Sequence, residues 1–362
     1  MRVAFVMGTT SGGTGRHVRM LAGGLARLGH RVLVVGPRSV EERFGFGAAG
    51  ARFAEVLVSD RPSPVNDLRS ILAIRRLTGG ADVVHAHGLR AGALAALARP
   101  GRGGPRLVVT LHNALTAGGT VGAVYTVLER IVARRADHVL VVSPDLGERM
   151  SALGARDVRP AVVPAPVPRP AGRTPAEVRA ELGAGERPIV LAIARLAQQK
   201  GLETLLDAAA GPWPGGRDPL FVIAGEGPLR AELQRRIDGE RLPVLLPGNR
   251  DDVPDLLAAA TVAVWASRWE GQPLSLSETL MAGRPVVATA VGGVPALVGD
   301  AGVLVPYGDA AALRSAVQDL IDDPDAAARW AALAARRGAE LPREDDALRS
   351  VLEVYGRSGP DQ

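Results

Sequence analysis

No cysteine occurs in the 362 residues. Disulfides, thiolate zinc sites and a cysteine nucleophile are thereby excluded, and the redox compartment is left open. Aromatic residues make up only 3% of a chain that is 47% hydrophobic, so the core must be aliphatic, made of Ala, Val and Leu. Long apolar runs are missing too, since no stretch approaches the roughly 20 residues that a bilayer-spanning helix needs. The opening MRVAFVMGTTSGG has one charge and a short apolar run before glycines. It suits a first β-strand rather than a signal peptide, and a cytoplasmic protein is expected. Lysine is nearly absent as well: Lys200 stands alone among 43 basic residues. The formal charge of +5 suits nucleic acid, anionic lipid or a phosphorylated small molecule. No basic block or aromatic platform of a nucleic-acid module is visible, so nucleic acid is not expected as a partner.

The 44 Gly and 27 Pro are spread along the chain, which argues for many tight turns rather than disorder. Short β-type runs (Arg2–Met7, Arg31–Val35, Asp82–Ala86, Leu107–Leu111, His138–Val142) alternate with Ala/Leu/Arg helical patterns such as Thr14–Leu28. A proline-rich stretch without helical period, Arg159–Gly172, reads as a stiff linker. The alternation then restarts with Pro188–Ile193, Leu220–Ala224, Val244–Leu246, Val262–Ala266 and Pro285–Thr289. The pattern predicts two doubly wound, Rossmann-like α/β domains over 1–166 and 167–343. The last helix, in about 344–362, is assignable to either and is expected to pack back on the first. The polar motifs all fall at strand carboxyl ends, where open α/β sheets bind ligands. Two such edges facing one another would make one interdomain cleft.

In SGGTGRH, Gly12 and Gly13 allow backbone N–H groups to approach an anion at a helix N-terminus; a plain tight turn is the other reading. The segment is not a Walker A loop, and the dinucleotide fingerprint fails because position 18 is Val. His17 inside the helix is expected to be packed or capping. Arg195 and Lys200 share one strand-to-helix loop and suit a diphosphate, stabilising charge on a phosphate leaving group; solvated surface charges are the alternative. His85 and His87 lie on one strand face with His112 nearby. Three imidazoles could hold zinc, but no carboxylate or thiolate partner is apparent, and polar lining of a cleft is preferred. Asp323-Pro-Asp325 reads as a turn and cap, not a metal site.

EGQPLSLSETLMAG brackets seven residues with Glu270 and Glu278. Ser275-x-x-Glu278 has the form of a capping box. Glu270, between Trp269 and Gly271, is placed to accept hydrogen bonds from sugar hydroxyls. A glycosidase-like catalytic pair is disfavoured, because the spacing covers a loop and a helix start rather than two opposed walls.

Taken in order, SGGTGRHVRMLAGGLARLGHRV, DVVHAHG, TLHN, ADHVLVVS, ARLAQQKGLETLLDAA, IAGEGPLRAEL and EGQPLSLSETLMAGRPVVATAVGGVPALV resemble the retaining GT-B glycosyltransferases of family 4 over nearly the whole chain. The resemblance implies a sugar transferred from a UDP- or GDP-sugar to an unidentified small-molecule, glycan or lipid-linked acceptor, with no cofactor and no metal. It makes the first domain the acceptor side and the second the donor side. It implies that Gly13 offers its amide to the donor diphosphate, that Arg195 and Lys200 clamp it, that Glu278 binds the ribose and that Glu270 contacts the transferred sugar beside Gly271, Gln272, Pro273 and Leu274. His112 matches the family's histidine near the donor sugar. The GEGP loop, with Gly225 and Gly227, and Asn249 would border the base. Two positions depart from the pattern: Ala194 replaces a Gly, and Val163–Pro168 replaces an Asn-Gly turn. A nucleotide-sugar epimerase and an inactive nucleotide-sugar-binding subunit are the alternatives. Val121–Ala136, basic and amphipathic, suits either an anionic membrane surface, with the protein peripheral to the inner face of the plasma membrane, or core packing.

Overall fold

The runs RVAFVM, RVLVVG, VVHAH and RLVVTL are largely apolar, rich in valine and almost wholly buried, as strands covered by helices on both faces must be. A computed structural model describes residues 1–10, 12–59, 63–101, 103–114, 119–165, 167, 170–213 and 218–356, the side chains of 119–121 excepted. Two units emerge: Met1–Pro164 with Pro342–Gln362, and Ala165–Leu341.

The first unit runs β1 (Arg2–Met7), α1 (Gly13–Arg27), β2 (Arg31–Gly36), α2 (Arg38–Phe44), β3 (Arg52–Glu55), α3 (Pro64–Thr78) and β4 (Val83–His87). It continues with α4 (Leu89–Ala98), β5 (Arg106–Leu111), α5 (Gly119–Arg135), β6 (His138–Val141), α6 (Pro144–Ala152) and β7 (Val158–Pro160). Its seven strands are parallel in the order β3-β2-β1-β4-β5-β6-β7. The order reverses between β1 and β4, paired with Phe5 opposite His85 and Met7 opposite His87. The start of the predicted linker is a strand instead: Val158 and Arg159 pair with Val139 and Leu140 on β6. An edge strand accommodates Pro160, which has no N–H to give a further neighbour.

The second unit runs α7 (Pro175–Glu181), β8 (Ile189–Ile193), α8 (Leu202–Ala209), β9 (Leu220–Ala224), α9 (Arg230–Glu240), β10 (Val244–Gly248), α10 (Val253–Ala259) and β11 (Val262–Trp265). It closes with α11 (Leu274–Met281), β12 (Val286–Thr289), α12 (Val294–Val298), β13 (Val303–Val305), α13 (Ala310–Asp322) and α14 (Pro324–Glu340). The six strands are parallel in the order β10-β9-β8-β11-β12-β13, reversing between β8 and β11. Asp323 caps α14 by accepting the Ala326 N–H at 2.9 Å, which is the structural role of the Asp323-Pro-Asp325 turn.

The last helix, α15 (Glu344–Gly356), belongs to the first unit. It buries Leu348, Val351, Val354 and Tyr355 in that unit's core, and the Tyr355 hydroxyl lies 2.7 Å from His85 Nδ1. The α5 helix is packed, with Val132 and Ala133 buried and Glu129 held by Arg149. On the same helix Val124 and Val127 are 42% and 52% exposed. Among the described residues no helix is long and apolar enough to cross a membrane.

Candidate active site

Each unit carries polar motifs where its strand order reverses, the position at which diverging loops leave a crevice. In the second unit these are the loops after β8 and β11. The first contains a single 3₁₀ turn, Gln198–Lys200, which ends at Gly201 with φ 57°. A methyl group on Gly201 would sit 2.0 Å from the Ala266 carbonyl oxygen. Only glycine allows this left-handed residue to press against the end of β11. The contact brings the two loops into register: the Arg268 N–H donates to Gln199 O at 2.9 Å, and Gln199 Nε2 donates to Trp269 O at 2.9 Å.

That stitching delivers Lys200 to Glu270. Lys200 Nζ donates to Glu270 Oε1 at 2.5 Å, and Ser267 Oγ donates to the same oxygen at 2.6 Å. Glu270 is 5% exposed, so its charge is stabilised by a cation and a hydroxyl rather than by bulk water. Ser267 is fixed in turn, its carbonyl accepting Thr289 Oγ1–H at 2.7 Å. On the far side, the Glu270 carbonyl accepts the Gly293 N–H at 2.9 Å. Gly292, with φ 53°, lies so close that an added methyl would be 2.0 Å from that carbonyl oxygen.

The remaining predicted residues of this unit divide. Gly271 and Pro273 are buried beside the pair, while Gln272 and Leu274 are half-buried. Arg195 is exposed in the same loop as Lys200 and makes no ion pair among the described residues. Gly225 and Gly227 have their Cα atoms packed on the carbonyls of Ala194 and Leu196; they seat the β9 loop on the β8 loop. Asn249 is exposed beyond β10.

The capping box does not form. The α11 helix starts at Leu274, with Pro273 at the N-cap and no side-chain cap. Pro273 takes the N-cap position with an extended backbone, φ −70° and ψ 114°, so the helix starts at Leu274 and Ser275 lies inside its first turn, where it cannot be the cap. Ser275 Oγ instead lies 3.4 Å from the Ile193 carbonyl. Glu278 falls in the second turn, half-buried. Ser267, Gln199, Gly201 and Thr289 were not singled out from sequence. Only Gly201 carried a local signal, as a glycine between a loop and a helix.

In the first unit, the β1 and β4 ends carry Gly8, Thr9, Thr10 and Gly12, and His87 and Gly88. Gly12 is the N-cap of α1 and Gly13 its first residue. The histidines form a cluster: His87 Nδ1 lies 3.0 Å from His112 Nε2, and the His17 ring is 5.7 Å from each of theirs. His85 is held between Tyr355 and Thr110 Oγ1, each at 2.7 Å. Burial disfavours the charged imidazole. It lowers His17 to about 4; burial, then His17, takes His112 to about 3. His85 and His87 fall well below the usual value, chiefly through burial. The cluster is therefore neutral near pH 7. Among the described residues no group of three or more His, Asp or Glu is arranged to hold a metal ion. His87 and His112 line a cavity of about 370 Å³ with Thr9, Thr10, Asn113 and Tyr125.

The chain is similar to known proteins in sequence and in fold. The family description "Glycosyl transferase 4-like domain" matches residues 12–166, and "Glycosyl transferases group 1" matches residues 187–323. The chain is 37% identical over 166 residues to alpha-D-kanosaminyltransferase of Streptomyces kanamyceticus, covering 44% of this chain and 43% of that protein. It is 34% identical over 277 residues to D-inositol 3-phosphate glycosyltransferase 1 of Catenulispora acidiphila, covering 69% and 66%. The alignments thus span less than two thirds of these relatives' lengths. The Anabaena protein HepE, solved in complex with UDP, superposes with a TM-score of 0.83 at 21% identity, covering 98% of this chain and 99% of that one. That likeness establishes the GT-B fold, with two Rossmann-like domains.

Proposed function

Because the chain belongs to the group 1 glycosyl transferases, we propose that it moves a sugar from a UDP- or GDP-sugar to an acceptor hydroxyl, with retention of anomeric configuration and without a metal ion. The observation that carries this reading is the Lys200–Glu270 pair, at 2.5 Å where the strand order of the second unit reverses.

In this reaction the bond between the anomeric carbon and the diphosphate oxygen lengthens, and negative charge grows on the diphosphate. Arg195 and Lys200 carry that charge; a cation aimed at a developing anion lowers the barrier more than it stabilises the ground state. Glu270 orients Lys200 and accepts hydrogen bonds from the transferred sugar. Glu278 takes the ribose hydroxyls, and the Gly13 amide meets the diphosphate. A donor phosphate oxygen accepts the proton of the attacking hydroxyl on the same face, so no protein base is required. His112, neutral near pH 7, donates or accepts a hydrogen bond without adding charge. The cavity of the first unit receives the acceptor.

The test is a donor screen by nucleotide release with UDP-, GDP- and ADP-sugars, with and without candidate acceptors. Acceptor-dependent release and a product with retained anomeric configuration are expected. Donor binding without turnover by any sugar nucleotide would leave only a binding role. A rearranged sugar formed without acceptor would make the protein an epimerase.

A further inference from the structure

The α3 helix turns an unusual face outward. Val65, Leu68 and Leu72 are 63%, 58% and 58% exposed. Successive helical residues rotate by about 100°. Val65, Leu68, Arg69, Leu72, Arg75 and Arg76 therefore share one stripe about 120° wide. The three arginines are exposed as well. The opposite stripe, Ser70, Ile74 and Thr78, is buried in the first unit, so the inner face is already committed to the core. Leu57, 58% exposed, adjoins the helix, its carbonyl accepting Ser70 Oγ–H at 2.7 Å.

Single exposed leucines need no explanation. Arg75 and Arg76, in the last turn, also complement the helix dipole. Neither account covers three aliphatic side chains interleaved with three cations on one face.

We propose that this face of α3 rests on an anionic lipid surface. The aliphatic side chains enter the headgroup boundary, and the arginines bend their guanidinium groups to lipid phosphates. The charge distribution agrees. The first unit has 25 Arg against 16 Asp and Glu, and the second has 18 Lys and Arg against 22. The +5 of the whole chain is thus a basic unit joined to an acidic one. Lipid phosphate offers the opposite charge to α3. A second copy docked through the same patch would set three arginines against three arginines, and a nucleic acid would leave the aliphatic residues without a partner.

Co-sedimentation of the full chain with vesicles tests the proposal. Binding to mixed phosphatidylglycerol and phosphatidylcholine vesicles is expected, weakening as salt rises, with little binding to phosphatidylcholine alone. Arg69→Gln/Arg75→Gln/Arg76→Gln should lose about fivefold in affinity per arginine. Leu68→Gln/Leu72→Gln should lose binding at unchanged net charge. Both variants alter exposed positions only, and an unchanged unfolding midpoint confirms that they fold. Wild-type protein that ignores anionic vesicles, or variants that bind as well as wild type, overturn the proposal. So does a dimer that Leu68→Gln/Leu72→Gln converts to monomer without any vesicle binding, because a second copy would then cover the face.

Discussion

Lys200 Nζ stands 2.5 Å from Glu270 Oε1 although 70 residues separate them. The pair joins the two loops that flank the strand-order reversal of the second unit. Removing the ammonium leaves a buried carboxylate with one hydroxyl donor, a loss on the order of 1–3 kcal/mol in stability. The expected effect on turnover is larger. Lys200→Ala and Glu270→Ala should each lower kcat by orders of magnitude, read as nucleotide release, while circular dichroism stays native. Lys200→Arg should also be poor, since a planar fork does not replace a compact ammonium. Wild-type rates in both alanine variants would sink the assignment.

Gly292 lies on the other side of the same carboxylate residue, its Cα against the Glu270 carbonyl. Gly292→Ala places a methyl in a left-handed residue and into a backbone oxygen. A destabilisation of at least ~2 kcal/mol is expected in urea unfolding. Gly308 is the control: φ is 82° and no atom lies within 4 Å of an added methyl. Gly308→Ala should show the left-handed strain alone and be the milder change. Equal effects would remove the packing argument.

Strand positions and the motif loops were legible because apolar β-type runs repeat at regular intervals and each ends in polar or glycine-rich residues. The linker was misjudged at its start because a three-residue edge strand, Val158–Pro160, is too short for any periodicity. The capping box looked sound because its residue types were right; the proline ahead of it set the helix start instead. The Lys200–Glu270 pair had no local signature. It depends on Gly201 meeting Ala266, a register between two strands that only the folded sheet fixes.

The histidine cluster predicts a pH dependence. Unfolded His17 takes a proton near pH 6.5, and folded His17 does so only near 4. Between those values the unfolded state binds more protons, so stability is full above about 6.5 and falls as the pH drops. This residue alone accounts for up to about 3 kcal/mol across the window. Urea unfolding followed between neutral pH and pH 4 should show the loss, and His17→Gln should flatten the curve. A wild-type stability independent of pH in that range would contradict the burial of the cluster.

Tyr355→Phe removes the hydroxyl beside His85 Nδ1 and keeps the ring in the core. A loss of about 1–3 kcal/mol is expected, because a buried ring nitrogen is left without its partner. Thermal unfolding measures it, and an unchanged midpoint would mean that the Tyr355–His85 contact contributes nothing.

The return of α15 has a consequence for synthesis. The chain leaves the first unit after Pro164 and rejoins it at Pro342, so every residue of the second unit emerges from the ribosome before α15 does. Leu348, Val351 and Tyr355 cover core positions of the first unit. The half made first is therefore finished last, and the second unit has its whole sequence available while the first still waits for its outer layer.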